Sequence, residues 1–509
     1  MLSACLLIST LFVASASATN EACLEKCLQS AKVPSYFKDQ QQFHSLSRPF
    51  NVRLPFTPVV VVTAESTSHV SEAVECASSC GSFKVQARSG GHSYASHSLG
   101  GQDGSVVIDL AFLNQVKVNG DTSADVGGGV RLGNLDKALF DQGRRAISHG
   151  TCAGVGFGGH SLHGGYGFES RLWGLSLDHI QSLEMVLANG TVLNASSTIN
   201  EDLFWAVRGA GESFGVVTKF NIRTQPAPDS LVYWSFNLSD LTANVSTAVA
   251  ALNHMQTFAL NNTIQDRRLS WGWFLNQTSL LVRGKFHGAL DEFNKRISPE
   301  ILRGLPDVAE SSRTVREVNW LQSQALYNHG TDDISRLVQA NKPGGYLPRK
   351  NFYAKSLTVS DPLTEEAFSA YVSYAREKGA QVEKSSSWYS IGNLYGGPDS
   401  QIDIHNKSWS SYGSRGSLWV LQNFGSVKLE EPFDNCLPGL VQGINDAITK
   451  KMPHSRFGAY ANYIDPALSA KEAHYLYYGS QYNRLSNIKK EVDPEDIFYH
   501  PLAIRAAVH

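Results

Sequence analysis

The stretch Ala146–Gly167 reads AISHGTCAGVGFGGHSLHGGYG, and glycine recurs through it around a single cysteine, Cys152. Glycine at this density costs conformational entropy on folding. Chains tolerate it where the backbone adopts unusual dihedral angles or approaches a ligand closely. We therefore interpret this stretch, called the cradle below, as a cofactor-binding segment around which the rest of the chain is organised.

A dinucleotide-binding loop is the first alternative for the cradle. Gly154, Gly156 and Gly159 satisfy the spacing G-x-G-x-x-G, and Asp178 follows at about the distance expected of a ribose-binding acid. That fingerprint, however, joins a hydrophobic strand to a helix. Here Ser148–Thr151 come first and more glycines follow, so the context of a Rossmann turn is missing.

Composition narrows the class of protein. The 509 residues are 42% hydrophobic and 18% charged, and the formal net charge is −2. This length suggests roughly two to four domain-sized units. A near-neutral chain offers no basic face for nucleic acid. Beyond the N-terminus no segment approaches the run of about 18 apolar residues that a membrane span needs.

The N-terminus predicts export. Residues 1–18 combine the apolar run LLISTLFVA with small residues up to Ala18, which is typical of a cleaved secretory signal, although lysine and arginine are missing before the run. Sequons of the form N-x-S/T agree with this route, although they also arise by chance. They lie at Asn189, Asn194, Asn237, Asn244, Asn261, Asn276 and Asn406. We expect a secreted protein.

Six cysteines remain after removal of the signal, and an oxidising compartment favours pairing most of them. Cys23 and Cys27, like Cys76 and Cys80, are spaced i, i+4 in helix-like sequence. Each pair therefore presents both sulfurs on one helical face, and two bridges could join the helices. A zinc site is the alternative for two C-x3-C pairs, but export favours disulfides.

Up to Thr224, short strands alternate with helices, and ligand loops lie at the joins. The loop Arg88–Ser105 follows a strand and carries His92 and Tyr94. After the cradle, a strand pair turns at Asn189-Gly190.

The segment Pro226–Pro228 is a plausible domain boundary, because the glycine loops stop there and alternating, aromatic-rich runs begin. These runs predict an antiparallel sheet whose aromatic face could bind a substrate. The α+β organisation we expect is a signal peptide at 1–18, a first domain at 19–228, a second at 229–450, and a segment at 451–509 that completes the first.

Several separated motifs carry a family resemblance. They are RSGGHSYASHSLGG around His92, SHGTCAGVGFGGHSLHGGYGF around Cys152, DLFWAVRGAGESFGVVTKF, ANYID at Ala461–Asp465, and KKEVDPEDIFYHP. Together they resemble the fungal oligosaccharide oxidases of the berberine-bridge-enzyme branch of the vanillyl-alcohol-oxidase-type flavoproteins. The similarity covers nearly the whole mature chain. It implies an α+β, two-domain PCMH-type FAD-binding fold whose substrate domain is an antiparallel sheet covered by helices.

The resemblance implies FAD bound covalently twice, by His92 at the 8-methyl group and by Cys152 at carbon 6. The residues alone leave alternatives open, since Cys152 could be packing filler and His92 a loop histidine with one hydrogen bond. No metal is implied. The expected FAD contacts are Ser89, Gly90, Gly91, Ser93, Gly150, Thr151, Val155, Gly156, Gly158, Gly159, His160, Gly164, Gly165, Gly167 and Val217.

For catalysis the resemblance points to Tyr463 as the base that takes a sugar hydroxyl proton while hydride passes to the flavin. An aromatic core residue is the alternative for Tyr463. Asn393 stands where the sugar oxidases often carry an acid that tunes this tyrosine, and Ile391 where they carry glutamine. Asparagine supplies no charge, so substrate class is open. Tyr94, Thr151 and Gln422 match substrate-contacting positions.

The resulting hypothesis is a secreted, monomeric carbohydrate oxidase that turns a reducing oligosaccharide into its lactone. Val155 matches a position where valine accompanies access of O2, which implies an oxidase forming H2O2. Two alternatives remain: an oxidase or dehydrogenase of a non-sugar metabolite, and a flavin-loaded binding protein with vestigial activity. The resemblance also partly supports bridges Cys23–Cys76 and Cys27–Cys80, with Cys436 left as a buried thiol.

Overall fold

The structure is a computed structural model that describes residues 19–305 and 308–507. Helices and sheets are both present, which confirms the expected α+β class. The predicted signal peptide at 1–18 lies outside the described residues. Over the described part of the chain, every helix is too short or too polar to cross a membrane.

The first domain begins with a mostly parallel sheet of order β1-β2-β4-β3, in which β1 alone pairs antiparallel. Its elements are α1 at 19–30, β1 Ser35–Phe37, α2 Gln41–Leu46, β2 Val60–Thr63, α3 Thr67–Ser79, β3 Val85–Arg88 and β4 Val106–Asp109. Helix α3 starts after Ser66, whose hydroxyl accepts a hydrogen bond from the backbone N–H of His69 and so caps the helix.

A second, antiparallel sheet of order β5-β6-β10-β8-β9 lies behind the cradle. The elements are β5 Val116–Asn119, β6 Ser123–Gly127, α4 Leu132–Gly143, β7 Arg145–Ala146, α5 Phe157–Ser161, α6 Ser170–Trp173, β8 Ile180–Val186, β9 Val192–Ser196, α7 Glu201–Ala210, β10 Val216–Arg223 and β11 Gln225–Pro226. The β8–β9 hairpin is confirmed, and Gly190 in its turn has a φ of +79°. The short strands β7 and β11 pair with each other.

The second domain is an antiparallel sheet of order β15-β12-β14-β13-β17-β18-β16-β19. Its elements are β12 Leu231–Asn237, α8 Val245–Leu260, β13 Leu269–Leu275, β14 Leu280–Phe286, α9 Leu290–Glu292, α10 Ser298–Arg303, β15 Arg313–Val318, α11 Trp320–His329, β16 Asn351–Val359, α12 Glu365–Gly379, β17 Ser386–Leu394, β18 Trp419–Val427, α13 Leu437–Thr449 and β19 Phe457–Gly458. The tail adds α14 Ala470–Tyr478 and α15 Tyr482–Val492.

Successive residues of each strand point to opposite faces of this sheet, because side chains alternate with a period of two residues. One side carries Trp271, Trp388 and Trp419 into a core shared with helices α8, α12 and α13. The other side faces the first domain, where Val420 joins the core around the cradle and Phe424 joins a separate aromatic cluster. The aromatic side chains therefore divide between a structural face and a face open to the site.

The disulfides join α1 to α3 as expected, but the predicted pairing is wrong. Cys23 bonds Cys80 and Cys27 bonds Cys76. When two helices lie antiparallel, the first cysteine of one pair meets the last cysteine of the other. Spacing within each helix could not reveal that relative direction.

The prediction that Cys436 is buried is also wrong, because this thiol is exposed. It precedes helix α13, and the backbone N–H of Cys436 donates to Asp434 Oδ1 at 2.8 Å. The next residue, Leu437, is fully buried and takes the core position.

Candidate active site

A cavity of about 440 Å³ lies between the cradle, the loop around His92 and the open face of the second domain's sheet. It brings together residues that are far apart in sequence, from Gln86 to Ile464. Most predicted site residues line it. Those are Ser89, Gly90, Gly91, His92, Ser93, Tyr94, Gly150, Thr151, Cys152, Val155, Gly156, Gly159, His160, Gly167, Asn393, Gln422 and Tyr463.

Four predicted contacts lie outside the residues that line the cavity, so their contact with FAD stays a prediction. Gly158 packs in α5 against Ser89 and the carbonyl of Gly128. Gly164 and Gly165 have φ of +112° and +81° and shape the turn after α5. Val217 is buried in the core on β10.

Two glycine loops touch at the floor of the cavity. A Cβ added to Gly156 would lie 2.1 Å from the backbone nitrogen of Gly90, and one added to Gly90 would lie 2.1 Å from that of Gly156. Arg131 fixes this contact, since its guanidinium donates to the carbonyls of Gly90 and Gly154 at 2.9 and 2.6 Å. Glycine is required here by close approach of two backbones.

The two residues predicted to hold the flavin converge at one point. Cys152 Sγ lies 3.9 Å from His92 Nε2, although the two are 60 residues apart. The His92 ring stacks on Phe50, with ring centroids 4.1 Å apart. Burial, and then the charge of Lys350, lowers the pKa of His92 to about 3, so the imidazole is neutral and keeps a lone pair for bonding.

Neutral histidine also organises the cradle. The backbone N–H of Gly150 donates to His160 Nε2 at 2.9 Å. Burial lowers the pKa of His160 to about 3, so this nitrogen remains an acceptor. The acceptor fixes the loop that carries Thr151 and Cys152 into the cavity.

The opposite end of the cavity is polar. Glu212 accepts hydrogen bonds from His163 and, at 3.2 Å, from His500 Nε2. The His500 ring stacks on His97 with centroids 3.7 Å apart. Nearby, Gln86 is 2% exposed, and its side-chain nitrogen has no partner among the described residues. A buried donor without a partner calls for an acceptor, which a bound molecule would supply.

Tyr463 ends a short turn, Ala461–Tyr463, that borders the cavity. Its ring lies parallel to that of Tyr94, with centroids 5.9 Å apart. The Tyr94 hydroxyl accepts a hydrogen bond of 2.7 Å from Gln422 Nε2. Burial raises the pKa of Tyr463 and of Tyr94 well above the ordinary value, so both phenols are protonated at neutral pH.

Neighbours of Tyr463 in the sequence anchor its turn on both sides. Asn462 Nδ2 donates to the carbonyl of His160 at 3.0 Å, which ties the turn to the cradle. Asp465 accepts from the hydroxyl of Tyr353 at 2.9 Å and pairs with Lys355 at 2.5 Å, which ties it to β16. The turn therefore has a fixed position between the two domains.

The sheet contributes side chains that the sequence analysis did not single out. Arg283 and Tyr389 line the cavity from β14 and β17, and Tyr346 and Lys350 line it from the segment before β16. The alternation of each strand could have indicated the first two, once the face of the sheet was known. Tyr346 lies outside any helix or strand, so no sequence pattern marks it.

The residues present suit FAD. An extended cavity joins two nucleophilic groups at one end to an unpartnered buried donor at the other. Between them, backbone N–H groups of glycine-rich loops can meet the phosphates, as in other anion-binding nests. The imidazole and thiol lie as close together as two substituents of one ring system must.

Comparisons with known proteins agree with this geometry. Residues 58–196 match the family described as FAD binding domain, and residues 459–505 match the family described as berberine and berberine like. A xylooligosaccharide oxidase of Thermothelomyces thermophilus is 36% identical over 498 residues, covering 97% of this chain and 96% of the relative. A carbohydrate oxidase of Microdochium nivale is 33% identical, covering 99% of each chain.

Solved structures show the same similarity. The xylooligosaccharide oxidase from Myceliophthora thermophila C1 in complex with xylobiose superposes with a TM-score of 0.88, at 34% identity, over 96% of this chain and 100% of that one. A glucooligosaccharide oxidase from Acremonium strictum, described as carrying a 6-S-cysteinyl, 8α-N1-histidyl FAD, gives 0.86 at 30% identity with the same coverage.

Proposed function

The chain belongs to the FAD-linked oligosaccharide oxidases of the berberine-bridge-enzyme family, and from that premise we propose that it is a secreted oxidase of reducing oligosaccharides. The reaction removes hydride from C1 and a proton from the C1 hydroxyl, which leaves the lactone. The observation that carries the proposal is the single cavity shared by His92, Cys152 and Tyr463.

His92 and Cys152 would hold FAD, which would supply the hydride acceptor and, with O2 as the final acceptor, the formation of H2O2. The proximity of the imidazole and the thiol supports attachment through both residues. Tyr463 accepts the hydroxyl proton, and Tyr94 with Gln422 orients the sugar beside it. Because the phenolate is the accepting form, flavin reduction should accelerate as pH rises from neutral to alkaline.

Export is supported by the two disulfides and by the position of the sequons. Six of the seven sequon asparagines are exposed in the described chain, and Asn276 is half-buried. The monomeric state stays a prediction, which sedimentation velocity would check.

Flavin bleaching without oxygen tests the function. Reducing disaccharides such as xylobiose, cellobiose and chitobiose should bleach the flavin, whereas their alditols, which lack the anomeric hydroxyl, should not. Bleaching by an alditol as fast as by its sugar would contradict oxidation at C1. If no sugar reduces the flavin while a non-sugar alcohol does, the proposal is wrong and the metabolite oxidase alternative stands.

Acid precipitation tests the attachment. His92→Ala and Cys152→Ala should each keep the flavin in the pellet through the remaining bond, and the double variant should release it. Flavin of the wild-type protein in the supernatant would contradict covalent attachment.

A further inference from the structure

Arg283 is a cation in the cavity to which none of the described residues supplies a counterion. Arg283 lines the cavity from β14, and its guanidinium carbon lies 5.6 Å from the centre of the Tyr327 ring. Within residues 19–305 and 308–507, no group forms a hydrogen bond or ion pair with that guanidinium. A partly buried cation without an anionic neighbour has lost hydration that the protein does not replace.

The next cation on the same strand shows the contrast. Lys285 is two residues further along and therefore faces the same side of the sheet. It is fully buried, and its ammonium lies 2.6 Å from Glu169 and 3.0 Å from the side-chain oxygen of Gln324. Lys285 therefore has a counterion and a hydrogen-bond acceptor, whereas Arg283 faces the cavity and has neither among the described residues.

The side-chain amide of Asn393, close to Arg283 on the same sheet, also has no hydrogen-bond partner among the described residues. Across the sheet, Arg283 on β14 is opposite Gly272 on β13, and Gly272 is opposite Asn393 on β17. A Cβ on Gly272 would lie 2.7 Å from Asn393 Oδ1, so the Asn393 side chain leans over the glycine toward the strand of Arg283. Asn393 is 9% exposed, and within the described residues its amide has no hydrogen-bond partner.

The cavity lining as a whole is poor in negative charge. Glu212 is the one carboxylate among the described lining residues, and it lies at the far end, bonded to His163 and His500. Lys350 adds an exposed cation at the other end, 5.7 Å from the centre of the Phe424 ring. The part of the cavity that holds Tyr463 and Arg283 therefore attracts anions.

We propose that Arg283 and Asn393 form a carboxylate-binding subsite, so that the enzyme prefers acidic oligosaccharides carrying a uronic acid at or next to the reducing end. The planar guanidinium suits two-point binding of a carboxylate, and the amide of Asn393 supplies a further donor. The inference rests on the proposed function, since it names the class of sugar for the same site.

Digalacturonate and its methyl ester provide a matched pair of substrates, since they share a skeleton and differ in charge. We expect kcat/KM for flavin reduction of the holoenzyme to be roughly 10- to 100-fold higher for the acid, the range of a hydrogen bond between charged groups. Equal or better use of the ester would overturn the proposal.

Variants of the subsite test the assignment to these residues. In Arg283→Gln the acid-to-ester ratio of kcat/KM should fall to about one, and Arg283→Lys should restore part of it. Asn393→Asp should also lower the ratio, because the new carboxylate would occupy the guanidinium. The flavin absorption spectrum of each variant checks that the holoenzyme is intact.

If Arg283 acted on the flavin or on folding, and not on the substrate carboxylate, the variant would behave differently. Arg283→Gln would then slow reduction by both sugars equally and leave their ratio unchanged, which contradicts the subsite. Bleaching by cellobiose with no preference for digalacturonate would reject the subsite and keep the sugar oxidase. Failure of all sugars would reject both.

Discussion

The two walls of the cavity are built on different principles. The cradle wall presents backbone, with Gly90 and Gly156 in contact and Arg131 bonded to carbonyls on both loops. The sheet wall presents side chains such as Arg283 and Asn393, each taken from a different strand. A backbone contact leaves no room for substitution, whereas a strand position accepts many side chains. We therefore expect the cradle wall to define the cofactor and the sheet wall to define the substrate.

The largest expected difference is between two glycine substitutions, one at the backbone contact of the cradle wall and one in helix α13. Gly156→Ala places a Cβ where the Gly90 nitrogen lies 2.1 Å away, so the two loops must separate and holoenzyme should be lost. Gly439→Ala in helix α13 is the matched control. No atom lies within 4 Å of its added Cβ, and alanine should stabilise the helix by about 0.5–1 kcal/mol.

Flavin content and thermal unfolding of the two variants measure this difference. Normal covalent flavin in Gly156→Ala would show that the loops adapt and that the cradle is not fixed by backbone contact.

Tyr463 lies between the two walls. Removing its hydroxyl should slow the reaction and leave the structure of both walls unchanged. Tyr463→Phe should slow flavin reduction by roughly 100- to 10,000-fold, the usual contribution of a general base, and should keep the flavin bound. Tyr475→Phe, at a tyrosine that is 72% exposed, is the control. Stopped-flow reduction and the absorption spectrum separate the two roles. Loss of folded protein would favour the core-aromatic alternative.

A change confined to the sheet wall should have a smaller effect. In Asn393→Asp, a carboxylate near Tyr463 opposes formation of the phenolate, so the rising limb of the pH profile should move to higher pH, by less than about one unit. Asn393→Ser, which adds no charge, should leave the limb in place. If both variants share the wild-type profile, residue 393 lies outside the proton path.

The smallest effect is expected on the cradle wall at Val155, which lines the cavity. Val155→Ile adds one methylene and should slow reoxidation of the reduced flavin by O2 roughly several-fold through crowding, while reduction by sugar is spared. Val155→Ala should not slow reoxidation. Separate stopped-flow half-reactions give both rates. Wild-type reduced flavin that persists in air but reacts quickly with a quinone would indicate a dehydrogenase.

The sequence predicted the cradle wall better than the sheet wall. His92, Cys152 and the glycines around them lie in continuous motifs, so their neighbours in space are largely their neighbours in sequence. Arg283 lies in an ordinary alternating strand, and its role depends on Gly272 and Asn393, which other segments supply. Such pairings are set by strand order, which no local pattern contains.

The errors have the same origin. Pairing Cys23 with Cys76 assumed a relative direction of two helices, and that direction depends on tertiary packing. The expected burial of Cys436 likewise depends on packing around α13. The alternation of β10 places Val217 in the core, and its contact with FAD stays a prediction.

The pair Lys285–Glu169 has a consequence for how the molecule unfolds. Lys285 belongs to the sheet domain and Glu169 follows the cradle, and both side chains are almost completely buried. The pair is buried only while the two domains are packed together, and removing one partner alone would leave the other charge buried at a cost of about 3–5 kcal/mol. We therefore expect the two domains to unfold together. Heating should melt both in one cooperative transition, with flavin environment and secondary structure lost at the same temperature.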